Sequence, residues 1–355
     1  MTEAEQLHDR VLGGLAGAVI GDSMGTATET MTRRKIVERY GRLTEMVAPD
    51  FSPFSGGQLA GAYSDDSSQM LALVDRIVAR GGVELDDVVQ MLLDWAANEE
   101  MFTRTAGPTT RAAVARLRAG ESPADVGRGD VHTGSGLSNG AAMKAAPAGW
   151  INPGNIQGAV ADAATISLPS HNTQIAIAGA GAVAAAIATA IAPGATLAAV
   201  FDAALAGARE GERIGLQTGR EAASASVERR IREAIRIGEE AATVWDVLDD
   251  LYDVIGTGLP TNESVPAAFG ILAAARGDVT ESIVGAINVG NDTDTVATIA
   301  GAIAGSLHGL SAVREDWYRR VCEVNELDLE ATAAQLVQVG VRGAQPGLAP
   351  LTSAS

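Results

Sequence analysis

The sequence holds a single cysteine, Cys322, among 355 residues. A disulfide framework is therefore excluded, and a reducing, cytoplasmic compartment is expected. Aromatic residues are scarce, at 4% of the chain. Positive charge is outnumbered: Lys plus Arg count 26 against 44 for Asp plus Glu, a formal charge of −18. A surface of that sign repels a phosphate backbone, so binding of nucleic acid in bulk is not expected. One cysteine and four histidines cannot build the usual sulfur- or imidazole-rich zinc site. The opening Met1-Thr2-Glu3-Ala4-Glu5 lacks the basic character of a secretory signal.

What is present is aliphatic and small. The hydrophobic fraction is 46%, mostly Ala, Val, Leu and Ile, with 41 glycines between them. That is enough apolar surface to exclude a disordered acidic chain. Apolar residues recur at helical spacing in Leu7–Ile20, Met70–Val78, Val88–Ala96, Ile156–Ile166, Leu197–Ala208 and Ala222–Ile237. No segment alternates as a strand does. Composition does not shift along the chain and no long linker divides it. The expectation is an all-α fold, one large orthogonal helical bundle over residues 1–342, with a flexible tail at 343–355. The Ile175–Ala192 run has about the length of a short membrane span, but its Ala and Gly insert weakly and no basic flank orients it. A buried core helix is the reading, with no membrane partner. Gly179-Ala180-Gly181-Ala182-Val183-Ala184 matches a dinucleotide fingerprint by letter only, because no strand precedes it.

Glycine recurs every fourth residue at Gly13, Gly17, Gly21 and Gly25, and again at Gly301, Gly305 and Gly309. Residues four apart share one helix face. Each glycine costs a helix about 1 kcal/mol against alanine. Close approach of two helices is the compensation to look for.

Polar clusters interrupt this background. Ser64-Asp65-Asp66-Ser67-Ser68 stands before an apolar helical run, and Asn291-Asp292-Thr293-Asp294-Thr295 stands before another. Asp and Ser cap helix starts, which explains one acid at each place. The second acid is open to two readings, cap or ligand. Glu29 is expected at the end of the first glycine helix. Carboxylates with hydroxyls suit hard cations such as Mg²⁺, Mn²⁺ or Ca²⁺. Four Asp from two loops could hold two ions about 3.5–4 Å apart. A dinuclear site between two helix N-termini is thus expected. Gly134-Ser135-Gly136-Leu137-Ser138-Asn139-Gly140, running toward an apparent helix at Lys144, could cradle a phosphate or be a plain loop. His171, before the long Ala/Gly helix, could cap, pack or contact substrate.

In this order the clusters resemble the ADP-ribosylglycohydrolase family. The similar segments run from Gly14-Leu15-Ala16-Gly17 through Gly21-Asp22-Ser23-Met24-Gly25 to Glu29. They continue with Tyr63 to Met70, Ser138 to Lys144 and His171, and end with Gly290 to Thr295 and Ala300 to Gly305. The resemblance implies an all-α fold and a binuclear magnesium or manganese centre. Carried over by position, Ser64, Asp65, Asp66, Asp292, Asp294 and Thr295 would hold two divalent cations, Mg²⁺ or Mn²⁺. Glu29 and Asp66 would be catalytic. Ser138, Asn139, Gly140, Met143 and His171 would bind the ribose and diphosphate. The sequence departs from the family pattern in Ser64 and Ser67, where threonines are usual, in Asn291, where glycine is usual, and in Lys144, where arginine is common. Lys and Arg bind phosphate differently, so these departures bear on the substrate more than on the metals. The implied activity is metal-dependent hydrolysis of the glycosidic bond in an ADP-ribosylated or related ribosyl substrate. Its alternatives are hydrolysis of small ribosyl glycosides or nucleosides, and a non-catalytic ADP-ribose-binding or structural homologue. Phe54, Tyr63 and Trp150 are the aromatic residues nearest the motifs for stacking an adenine.

Overall fold

The computed structural model describes residues 2–343, so residues 344–355 of the expected tail lie outside the described residues. Helices account for the regular structure, and among the described residues the only β pairing is two isolated bridges, Ser138 with Pro260 and Thr173 with Arg220. The all-α expectation holds. Its helical runs appear as Glu3–Gly25, Asp65–Arg80, Leu85–Trp95, Ile156–Ser167 and Leu197–Thr218. The expected start at Ala222 is five residues too early: that helix is Val227–Glu240, because the Ser226 hydroxyl caps it by accepting from Arg229 N.

The glycine repeats explain the packing. Helices Glu3–Gly25 and Thr293–His308 run antiparallel with their backbones in contact. A Cβ at Gly17 would overlap the carbonyl of Gly301, one at Gly21 the carbonyl of Ala297, and one at Gly13 the backbone of Gly305 and Gly309. A second antiparallel pair, Gln174–Ala190 with Leu197–Thr218, uses Gly181 against Gly207 and Gly211 against Ile177. Small residues let helix backbones approach, and the approach multiplies dispersion contacts that the missing side chains cannot supply. Few aromatics are then needed: Trp150 and Phe269 are fully buried, and Ala, Val, Leu and Ile fill most of the remaining core. The Gly179–Ala184 run lies within the buried Gln174–Ala190 helix, so it is core and not a nucleotide loop. No helix among the described residues is long and apolar enough to cross a membrane.

Register along the first pair is fixed at its far end, where the Asp9 carboxylate accepts from Leu310 N at 3.2 Å. Because overpacking of a tight interface costs about 1–3 kcal/mol, Gly17→Val is expected to lower stability by at least that much in denaturant unfolding. Gly82→Ala, where nothing lies within 4 Å of the added Cβ, is expected to stay within about 0.5 kcal/mol. Equal stability of the two variants would contradict the packing account.

Candidate active site

The antiparallel pair ends where the chemistry begins. The C-terminus of the first glycine helix lies against the N-terminus of the second, with Gly25 against the backbone of Asp294. The helix stops at Gly25, short of the expected Glu29. Hydroxyls turn the chain there: Thr26 Oγ1 donates to Ser23 O at 2.9 Å and Thr28 Oγ1 to Ile287 O at 2.6 Å. Glu29 therefore sits in a turn beyond the helix. Two backbone bonds fasten that turn to the second acidic loop, Thr30 N to Asn291 O and Asn291 N to Met31 O, both 2.7 Å. Thr30 and Asn291 adopt φ of 65° and 68° to make this exchange. Asn tolerates that left-handed region better than most residues, whereas for β-branched Thr30 it is a strained conformation. Asn291, the departure from the family glycine, is thus compatible with the loop.

The first motif opens the helix Asp65–Arg80. Ser64 is its cap, its hydroxyl accepting from Asp66 N at 3.3 Å. The fully buried Asp22 completes the cap, accepting from Ser64 N at 3.0 Å and from Ser67 N at 2.9 Å. With Ser64 and Asp22 serving the helix end, neither Asp65 nor Asp66 is needed there. That removes the capping explanation for the acid pair. Asp22 was not singled out in the sequence as a site residue, since a lone acid inside a glycine helix carries no spacing signal.

Among the described residues, two buried carboxylate oxygens lack a partner, Asp66 Oδ2 and Asp294 Oδ1, one from each motif. Such atoms are costly unless something supplies positive charge. Asp292 accepts from the Asn139 amide, and Asp65 accepts from Gln69 Nε2 at 3.3 Å. Among the described residues, no three His, Cys, Asp or Glu side chains are already arranged around one point as an ion's ligands. The donor set nevertheless fits a hard cation: carboxylates, the hydroxyls of Ser64 and Thr295, and two unpartnered buried oxygens.

Electrostatics tie the two motifs together. Burial raises the carboxyls of Asp66 and Asp294 well above the usual range; after burial, Asp66 feels Asp22, Asp65 and Asp292, and Asp294 feels Glu29, Asp292 and Asp66. Burial, then Asp292 and Asp65, pushes Glu29 up to about 8, opposed by the Ser52 hydroxyl, which donates to Glu29 Oε2 at 3.3 Å. Burial, then Asp22, lifts Asp65 to about 7, opposed by Lys144. Six acids, Asp22, Glu29, Asp65, Asp66, Asp292 and Asp294, thus share one neighbourhood.

The glycine-rich segment is a loop, and it leads to a 3-10 turn at Ala142–Lys144 and a short helix at Ala146–Trp150. Asn139 is held by main-chain bonding of its N–H to Leu259 O at 2.9 Å, which takes that donor away from any phosphate. Its side chain reaches Asp292 and Ser264 Oγ. His171 is fully buried beneath the loop, with Nε2 2.9 Å from Ser138 Oγ and Nδ1 2.8 Å from Ser170 Oγ. Burial, then Lys144, keeps its imidazole neutral by lowering its pKa well below normal. A Cβ at Gly140 would lie 2.8 Å from His171 Cε1, so glycine is required there. Met143 is buried beside them. Lys144 is also fully buried, and its ammonium donates to Gln69 Oε1 at 3.0 Å and to Gly140 O. Burial lowers it to about 8, while Asp65 and Asp66 hold its charge. Lys144 and Gln69 therefore link the loop to the first motif. Of the aromatic residues proposed for stacking, Trp150 is in the core, bonded to Ser306 Oγ at 3.0 Å, while Phe54 is exposed.

Comparison with known proteins adds a second line of observation. The family model described as ADP-ribosylglycohydrolase matches residues 3–345. The YegU protein of Escherichia coli (strain K12) is 31% identical over 93% of this chain and 97% of its own. An ADP-ribosyl-[dinitrogen reductase] glycohydrolase of Rhodospirillum rubrum is 29% identical over 40% of this chain and 44% of its own. A solved structure titled ADP-ribosylglycohydrolase-related protein complex has the same fold, with a TM-score of 0.67 at 23% identity, covering 95% of this chain and 99% of that one.

The raised carboxyls set the direction of a pH effect. Glu29 at about 8 and Asp65 at about 7 lie above their ordinary 4.5 and 3.8, so the folded state binds more protons than the unfolded one between those limits. Stability then falls as pH rises through that window. In chelator, the melting temperature is expected to be higher at pH 5.5 than at pH 8.5. A melting temperature that climbs over that range would refute the buried-acid account.

Proposed function

The chain belongs to the ADP-ribosylglycohydrolase family and is a glycosyl hydrolase; from that premise we propose that it hydrolyses the bond between an ADP-ribosyl group and its carrier, using two divalent cations, Mg²⁺ or Mn²⁺. The observation that carries the reading is the pair of unpartnered carboxylate oxygens, Asp66 Oδ2 and Asp294 Oδ1, buried among four further acids. The printed name of the Rhodospirillum rubrum relative supports an ADP-ribosyl substrate.

Ser64, Asp65, Asp66, Asp292, Asp294 and Thr295 would hold the cations. When bound, they supply Lewis acidity toward ribose hydroxyls and water, and they offset the repulsion among the acids. The chain's own groups do the rest. Ser52 occupies Glu29 Oε2, leaving Oε1 to accept a proton from the attacking water. The surrounding carboxylates favour the positive charge that develops on the ribose ring as the glycosidic bond breaks. Ser138, held by His171, and Asn139, held against Asp292, orient the substrate's ribose and diphosphate. Gln69 and Lys144 fix Asp65 in place from behind.

Turnover of ADP-ribosyl-arginine, ADP-ribosyl-serine and simple nucleosides separates an ADP-ribosyl substrate from a small ribosyl one. Activity is expected to vanish in chelator and return with Mg²⁺. Glu29→Gln is expected to reduce kcat by about 10²–10⁴-fold, the usual worth of a general base. Asp66→Asn and Asp294→Asn should abolish turnover yet raise the melting temperature in chelator, because each removes a repelling charge. Full activity of both Asn variants without cations would end the proposal.

A further inference from the structure

A cleft opens beside Glu29 on the outer side of its turn. Thr30, Met31, Lys35, Glu38, Arg39 and Phe51 line it. Its two walls are neighbours of the catalytic turn. Thr30 and Met31 follow Glu29 directly, and Phe51 precedes Ser52, which donates to Glu29 Oε2 at 3.3 Å. What occupies this cleft therefore lies within a few residues of the group assigned to the attacking water.

The charge of the cleft is opposite to that of the protein. The chain carries −18 overall, yet the stretch 33–42 holds Arg33, Arg34, Lys35, Arg39 and Arg42 against one acid, Glu38. Some of this charge is already answered. Arg33 pairs with Asp249 at 3.1 Å, Arg34 reaches Glu38 at 3.5 Å, and Arg42 lies over the ring of Trp245. Lys35 is exposed, and the Arg39 guanidinium carbon lies over Phe51, 3.0 Å from the ring centroid; among the described residues neither forms an ion pair. Stacking on a ring holds a guanidinium in place while leaving its N–H edge free to donate. Arg39 held on its ring and the exposed Lys35, against the single lining acid Glu38 that Arg34 already reaches, make a local reversal of the field on an acidic protein, and such reversals select partners by charge.

We propose that this cleft receives an acidic polypeptide segment, the part of a modified protein that flanks the ADP-ribosylated side chain. The inference rests on the hydrolase reading above and narrows its substrate to ADP-ribosyl-protein. Lys35 and Arg39 pair with Asp or Glu side chains of that segment, and the rest of the acidic surface turns away segments of the same sign that dock elsewhere.

The test compares two substrates of one linkage, an Asp-rich peptide carrying ADP-ribose and the free ADP-ribosyl-amino acid. For Lys35→Glu and for Lys35→Gln/Arg39→Gln, KM on the peptide is expected to rise about tenfold with kcat unchanged, as for charges at the rim of an interface. KM on the free ADP-ribosyl-amino acid is expected to stay as it is, and the salt dependence of KM on the peptide is expected to weaken. Equal rises on both substrates would mean that the cleft reads the diphosphate, and no rise on either would mean that it reads nothing; both overturn the proposal. Binding is measured separately, from the fluorescence anisotropy of the unmodified Asp-rich peptide. A Kd that Lys35→Glu leaves unchanged overturns the docking surface even in an inactive protein. A wild type that cleaves neither substrate but still binds the peptide through Lys35 overturns the hydrolase reading alone.

Discussion

Backbone contact between the two glycine helices governs the rest of the molecule. With glycine at Gly13, Gly17, Gly21 and Gly25, the Glu3–Gly25 helix meets the Thr293–His308 helix backbone to backbone, closer than a Cβ at any of these positions would allow. Their antiparallel sense brings the end of one beside the start of the other. Glu29, Asp292 and Asp294 are neighbours for that reason, although more than 260 residues separate them along the chain. The glycines are distant from the chemistry in role, yet they set its geometry.

The acids that this packing gathers oppose folding. Each is buried near others of the same sign, and burial shifts all of them toward the neutral form. The surrounding structure answers in a graded way. Asp22 is satisfied by two helix-start N–H groups, Asp292 by Asn139, and Asp65 by Gln69 with Lys144 behind it. Asp66 and Asp294 each retain an unanswered oxygen. Strain of this kind clusters at functional sites, and the stability of the core is what allows it to persist.

Much of this was legible in the residues. Helical periodicity gave an all-α fold, and the four-residue glycine spacing gave a close helix pair. The Ser64–Ser68 and Asn291–Thr295 clusters were visible because acids and hydroxyls stood in an apolar background. What stayed hidden depended on contacts between distant segments. Asp22 looks like an isolated acid until the start of the Asp65–Arg80 helix is brought to it. His171 gave no sign that it lies under Gly140, nor Lys144 that it is buried against Gln69. The helix read after the glycine-rich loop is present but short, Ala146–Trp150 behind a 3-10 turn, and Asn152-Pro153-Gly154 follows it at once. The basic cleft was masked by the overall charge, a sum in which a local reversal disappears.

The four-residue glycine repeat has a consequence for alignment. Two faces that repeat every four residues fit one another in several registers, each displaced by about 6 Å at 1.5 Å per residue. A slip by one turn would preserve most of the glycine contacts and pull Glu29 away from Asp294. The choice among registers therefore falls to features that do not repeat: Asp9 holding Leu310 N at one end, and the Thr30–Asn291 backbone exchange at the other. The helix pair works as a ruler whose graduations are identical, and its zero is set by those two clamps.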